Sequence, residues 1–345
     1  MLTRQRIFVY EFITGGGLLQ EPTAPQGSLR AEGAAMLAAV THDLGQLPHV
    51  EVVTRLDHRL ARDLLLDCQI ELATSPTTEH EEFCATAASA DWTLVIAPEF
   101  DSILHDRASA VLAAGGKLLG AQPEYIQRAS DKIDTAQALL AAGIPTPLTL
   151  PLNGDLAPLA NNHHGYVVKP RDGAGSLQVS IHRTLATARE CNPPQRYCIQ
   201  PWVPGVPCSV LLLCSPTALV SLKATEQHLA SDGTLAYLGG TLPLAVERDH
   251  RARQLAENAA RALGQPGGFI GVDLLLSADG KQDMVIEVNP RLTTSYVGLR
   301  CLTEDNLAQQ LLTVMNGEAA TVAWLDHQLR FDACGHTTQA CRHAP

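Results

Sequence analysis

No apolar run in the 345-residue chain approaches the roughly 18 residues that a membrane-spanning helix needs. The apolar stretch at residues 7–10 is cut short by Glu11, too soon for the core of a secretory signal. A cytoplasmic protein without a membrane partner is expected. Basic residues are in deficit, 25 Lys and Arg against 36 Asp and Glu, a net charge of −11 at pH 7. Binding to nucleic acid would oppose that field, so any phosphate site has to be local. With 18% charged and 46% hydrophobic residues, the composition excludes a disordered, collagenous or coiled-coil chain. Also absent are a Walker A loop, a kinase H-R-D, any Ser-His-Asp or Cys-His nucleophile signature, internal repeats and low-complexity segments. The nine cysteines are an odd count set mostly in apolar segments, which suits reduced thiols acting as small buried hydrophobes. Cys334, His336, Cys341 and His343 have ligand chemistry but not the usual zinc spacing, and a frayed tail is expected there instead.

The length suits about two domains. Over residues 1–121, short β-rich runs (7–12, 50–54, 69–72, 93–97 and 117–120) alternate with helical patterns (29–44, 78–90 and 102–114), the texture of a doubly wound α/β domain. A helical linker follows at 123–129 and 131–142, closed by Gly143 and the turn prolines Pro145 and Pro147. From residue 165 to 288 the β-rich runs are longer and hairpin-like (166–169, 196–200, 206–214, 218–225, 271–276 and 284–288), with one clear helix at 249–263, which reads as α+β. Four segments are expected: an N-terminal α/β domain (1–121), a linker with a small subdomain (122–205), a C-terminal subdomain (206–330) and a flexible tail (331–345).

Two stretches carry chemistry. The first is Gly165-Tyr-Val-Val-Lys-Pro-Arg-Asp-Gly-Ala-Gly-Ser176, a strand ending in Lys169 and a Gly-rich turn of Gly173, Ala174, Gly175 and Ser176. Such a loop can aim backbone N–H groups at phosphate oxygens while the lysine supplies a point charge; the alternative is an ordinary hairpin turn with a snorkelling lysine. The second stretch places Asp273 on a β-run, Asp279-Gly280 as a turn, and then Met284-Val-Ile-Glu-Val-Asn-Pro-Arg291. Asp-Gly between apolar runs signals a hairpin, and centring it on Gly280 sets Asp273 across from Glu287, with Asn289 on the same face. Facing carboxylates repel unless a cation bridges them, and all-oxygen ligands favour Mg²⁺, with Mn²⁺ as a substitute. Ile286 and Val288 are expected on the buried face, and Arg291 stands ready for charge developing in phosphoryl transfer.

In order and spacing, Ser130-Asp-Lys132, Val167-Val-Lys-Pro…Gly-Ala-Gly-Ser176, Gln200-Pro-Trp-Val-Pro-Gly205, Gly271-Val-Asp273 and Ile286-Glu-Val-Asn-Pro-Arg291 resemble the ATP-grasp ligases, over residues 123–315. The opening Val9-Tyr-Glu-Phe-Ile-Thr-Gly-Gly-Gly17 and Asn289-Pro-Arg-Leu-Thr-Thr-Ser-Tyr296 are similar to the branch that joins L-glutamate to tyramine in methanofuran-type cofactor biosynthesis. The resemblance implies two α+β subdomains clasping ATP behind the N-terminal domain. It implies Lys132 and Lys169 on the phosphates, a hinge of Gln200, Pro201, Trp202 and Val203 on adenine, Mg²⁺ on Asp273, Glu287 and Asn289, and Arg291 facing an acyl phosphate. Many members carry a ribose-binding Glu two residues after the hinge glycine; Pro207 stands there, with Cys208 and Ser209 close by. Gln227 has no evident role.

The expected activity is ATP-dependent amide formation between a carboxylate and an amine, with small-molecule partners and a homodimer as the assembly. A D-alanine-type or glutamate-adding peptide ligase and a non-catalytic ATP-binding regulator are the alternatives. Substrate is expected between the loop Tyr10, Glu11…Gly16, Gly17, at the carboxyl end of the first strand, and the turn Thr293, Thr294, Ser295, Tyr296. Glu11 would pair with an ammonium group, the alternative being a strand-end carboxylate in water, and the two tyrosines would flank an aromatic ring.

Overall fold

The computed structural model describes residues 4–160, 162–173 and 175–338. The N-terminal runs form a parallel sheet of β1 (Gln5–Glu11), β2 (Val50–Asp57), β3 (Gln69–Ala73) and β4 (Trp92–Ile96) in the order β3-β2-β1-β4. Helices α1 (Ser28–Gly45), α2 (Glu79–Ser89) and α3 (Ile103–Ala113) are the crossovers. Both faces of β1 are buried, as a central parallel strand requires: Ile7 and Val9 join one core with Leu37 and Val40 of α1, while Phe8 and Tyr10 join another with Phe83 of α2. The fifth expected strand, at 117–120, reduces to a single bridge between Thr93 and Leu118.

Helices α4 (Pro123–Ser130) and α5 (Lys132–Ala141) form the linker. Asp131 caps α5, accepting from the backbone N–H of Ile133 at 2.8 Å and Asp134 at 3.2 Å, which fixes Lys132 at the first helical position. A small antiparallel sheet follows: β5 (Leu150–Pro151), β6 (Tyr166–Pro170), β7 (Ser180–His182) and β8 (Tyr197–Pro201), in the order β5-β8-β6-β7 with the short α6 (Leu185–Ala188). It has a core of its own around Leu152, Tyr166, Val168 and Ile199.

The third sheet holds β9 (Val206–Cys214), β10 (Leu219–Ser221), β11 (Thr225–Leu229), β12 (Tyr237–Leu242), β13 (Gly268–Leu276), β14 (Met284–Asn289) and β15 (Leu329–Asp332). Their order is β14-β13-β9-β11-β12-β15, with β10 also on β9. The run expected as one strand at 218–225 is thus split between two. Helices α7 (Val246–Ala262), α8 (Ser295–Leu299) and α9 (Leu307–Met315) pack against this sheet. Leu211 and Phe269 of the sheet and Tyr296 of α8 share the core of Ile7 and Val9, so the first and third sheets form one body. Asp43 of α1 seals the join, taking the Tyr296 hydroxyl at 2.5 Å and the Arg300 guanidinium. The tail expected to be flexible enters the fold: β15 pairs with β12, and Thr337 bridges to Phe331. Cys341 and His343 lie outside the described residues. Cys301 is disulfide-bonded, a departure from nine reduced thiols. Among the described residues no helix is long and apolar enough to cross a membrane.

Candidate active site

A cavity of about 430 Å³ opens between the small sheet and the third sheet, within the roughly 300–1,000 Å³ usual for small-molecule sites. The β13–β14 hairpin supplies one wall. Gly271 pairs with Asn289 and Asp273 with Glu287, but Leu274 pairs with Val285, so Ile286 is an extra residue in a β-bulge. The bulge corrects the expected burial: Val285 and Val288 face the core, whereas Ile286 turns to the cavity wall.

Asp273 is gripped on both oxygens. Gln227 Nε2 donates to Oδ1 at 2.8 Å and Asn289 Nδ2 donates to Oδ2 at 3.0 Å. Burial, and then the charge of Glu287, push the Asp273 carboxyl up to about 7. Glu287 is also buried, yet the ammonium groups of Lys132 (3.5 Å) and Lys169 (3.8 Å) hold its pKa below the usual value. Burial drives the Lys169 ammonium toward neutrality, and the like charge of Lys132 adds to it. Lys132 is likewise buried, but Glu287 outweighs that effect and keeps its pKa above the ordinary value. Its Nζ also donates to the Gly173 carbonyl at 2.7 Å, tying α5 to the Gly-rich turn. Two buried ammonium groups sharing one carboxylate invite an anion, and two facing carboxylates invite a cation. Asp273 and Glu287 are therefore residues that could hold a divalent cation, and Lys132 and Lys169 residues that could hold an anion.

Gly173, Gly175 and Ser176 line the cavity, Gly175 with a φ of +63° that suits glycine; Ala174 lies outside the described residues. Gln200, Pro201, Trp202 and Val203 line it as well, beside the apolar Val167, Leu274 and Leu275. The Gln200 side chain is turned away, donating to Thr149 Oγ1 at 2.6 Å, and the Trp202 N–H reaches the Gly165 carbonyl at 2.8 Å. Pro207 does face the cavity; of its two neighbours, Cys208 is core while Ser209 reaches the cavity directly across from Asp273.

Thr293, Thr294 and Ser295 line the far wall, but five residues expected to hold substrate do not. Tyr10 is fully buried: its hydroxyl donates to Glu79 at 2.7 Å, and Arg107 lies over its ring. Tyr296 is core, bound to Asp43. Gly16 and Gly17 are packed loop positions, where a Cβ would meet Ala73 at 2.6 Å and the Phe12 ring at 2.4 Å. Glu11 folds back on its own loop, accepting from Ile13 N, Thr14 N and Thr14 Oγ1 at 2.6–3.1 Å. Burial raises its carboxyl to about 6 against those bonds. Arg291 reaches the cavity but is not free as expected. Glu99, from the segment after β4, binds its Nε at 2.8 Å and Nη2 at 3.1 Å, and Nη1 donates to the Leu292 carbonyl. Sequence reasoning missed Glu32 and Tyr237, which also line the cavity. Glu32 sits on a helix correctly expected, but only the join of the first and third sheets brings that helix to the site.

The family description of the ATP-grasp domain matches residues 129–295, and that of the pre ATP-grasp 3 domain matches residues 50–126. A tyramine–L-glutamate ligase of Methanocaldococcus jannaschii is 27% identical over 66% of this chain and 64% of its own length. That of Methanocaldococcus fervens is 26% identical over 91% of this chain and 96% of its own length. Among solved structures, an ATP-grasp superfamily protein from Archaeoglobus fulgidus superposes with a TM-score of 0.72 at 20% identity, covering 94% of this chain and 91% of that one.

Proposed function

From the membership of this chain in the ATP-grasp family, whose relatives include ADP-forming carbon–nitrogen ligases, we propose that it joins L-glutamate to tyramine or tyrosine in a methanofuran-type cofactor pathway. One observation carries the reading: Lys132, Lys169 and Glu287 meet Asp273 and Asn289 in a single cavity beside an apolar slot. The relatives' names supply the substrates, and the cavity's chemistry supports the reaction class.

In this reading adenine lies against Pro201, Trp202 and Val203, and the phosphates reach back to Lys132, Lys169 and the Gly173–Gly175 turn. Asp273, Glu287 and Asn289 would hold Mg²⁺, or Mn²⁺ in its place, which neutralises charge on the transferring phosphoryl group. A carboxylate oxygen attacks the γ-phosphorus and ADP leaves. The neutral amine then attacks the acyl carbon, the C–O bond to phosphate breaks, and the departing phosphate takes up the proton the nitrogen loses. No protein nucleophile is needed, in keeping with its absence from the sequence; the side chains orient groups and balance charge. Glu99 holds Arg291 in a fixed orientation, and the N–H groups left on its terminal nitrogens serve the acyl phosphate.

ADP release measured across a matrix of carboxylates and amines, with L-glutamate crossed against tyramine and tyrosine, tests the proposal. Release that requires both partners and Mg²⁺ is expected. Release with neither partner, or none with any pair, would overturn it.

A further inference from the structure

Glu32 is a carboxylate at the cavity wall without an ion-pair partner among the described residues. α1 carries it in from the parallel sheet. Its Oε2 accepts from Thr294 Oγ1 at 3.1 Å, and Oε1 has no hydrogen-bond donor among the described residues. The cation that acts on it electrostatically, Arg291, is engaged on two nitrogens by Glu99. Burial raises the Glu32 carboxyl, while Thr294 and Arg291 pull it back only in part. A desolvated carboxylate with one oxygen unoccupied and facing a cavity is stabilised by a cation.

The second observation is Tyr237 of β12. It lines the same cavity, and its hydroxyl makes no hydrogen bond among the described residues. Burial pushes its phenol above the usual range, and the charges of Glu32 and Asp273, which line the same cavity, add to that. A primary ammonium has three donors and no acceptor. Glu32 Oε1 and the Tyr237 hydroxyl offer it acceptors, and the tyrosine face adds cation–π attraction. The alternative cation, a second divalent ion, would want several carboxylate oxygens, and here there is one carboxylate beside two hydroxyls.

We propose that Glu32, with Tyr237, anchors the ammonium group of the amine substrate and makes the cavity select a cationic acceptor. The assignment rests on the ligase reading above and moves the role expected of Glu11 onto a residue that reaches the cavity. Held there, the ammonium passes one proton to Glu32 and leaves the neutral amine with its lone pair free to attack the acyl phosphate.

The test is calorimetric and independent of turnover. Protein loaded with Mg²⁺, a non-hydrolysable ATP analogue and L-glutamate is titrated with tyramine and with 4-ethylphenol, which keeps the phenol but lacks the charge. Wild-type protein should prefer tyramine by on the order of tenfold or more, the worth of one charge-assisted hydrogen bond. Glu32→Gln should lose that preference while 4-ethylphenol and nucleotide binding stay within about twofold of wild type. Tyr237→Phe should narrow the preference in part. No preference in wild type, a preference retained in Glu32→Gln, or an equal loss for both ligands and nucleotide would each overturn the assignment. Loss of the ligase reading would show separately, as ADP release that ignores the amine while the binding preference persists.

Discussion

Glu11 shows how far a single residue can be read. Its place at the end of a strand was legible; its orientation was not, because a carboxylate facing water and one folded back onto Thr14 have the same sequence. The structure makes the difference measurable. The folded state holds the Glu11 proton to about pH 6, whereas an unfolded chain releases it near the ordinary 4.5. The contribution of Glu11 to stability is therefore greatest below pH 4.5 and falls as pH rises through the window to 6, by about 2 kcal/mol in all. Denaturation of wild type and Glu11→Gln across that window should show a difference that changes by this amount; parallel profiles would contradict the assignment. Tyr10 was legible in principle, since an unbroken apolar run on a parallel strand buries both faces. Tyr10→Phe should leave amine kinetics unchanged and cost about 1 kcal/mol through the lost bond to Glu79, read by chemical denaturation.

At the scale of elements, the hairpin was the most legible part of the site, because side-chain alternation and an Asp-Gly turn fix a register. Its bulge was not, since an extra residue leaves no mark on composition; Asp273 meets Glu287 as expected, while Ile286 and Val285 exchange faces. The strand β12 was missed because two glycines dilute its pattern. Gly239, with φ at +126°, is needed there because a Cβ would lie 2.1 Å from the Phe331 carbonyl of β15. The neighbouring strand β11 carries Gln227, whose amide fixes one oxygen of Asp273. Gln227→Leu should raise the Mg²⁺ concentration needed for half-maximal ADP release by roughly 10–100-fold, the usual cost of losing a residue that orients a metal ligand, with nucleotide binding in the absence of metal unaltered. An unchanged Mg²⁺ requirement would contradict that role.

Over the whole molecule, the order of α/β and α+β segments was legible, and what joins them was not. Arg300 lies 257 residues from Asp43, and Arg291 lies 192 from Glu99; no local pattern relates such pairs. These contacts bind the first and third sheets into the body that delivers Glu32 to the cavity. Asp43→Ala would leave the buried Arg300 guanidinium without its carboxylate and should destabilise the protein by about 3–5 kcal/mol in chemical denaturation. The small sheet has a separate core and meets the parallel-sheet domain through Asp101, which pairs with Arg196 at 3.2 Å and donates its N–H to Asp172 at 3.0 Å. The central claim, that these parts activate a carboxylate by phosphorylating it, is tested most directly with L-glutamate labelled with ¹⁸O in its carboxylates, ATP, Mg²⁺ and tyramine. Released phosphate that carries one ¹⁸O atom per amide formed is the predicted result. Unlabelled phosphate would contradict it.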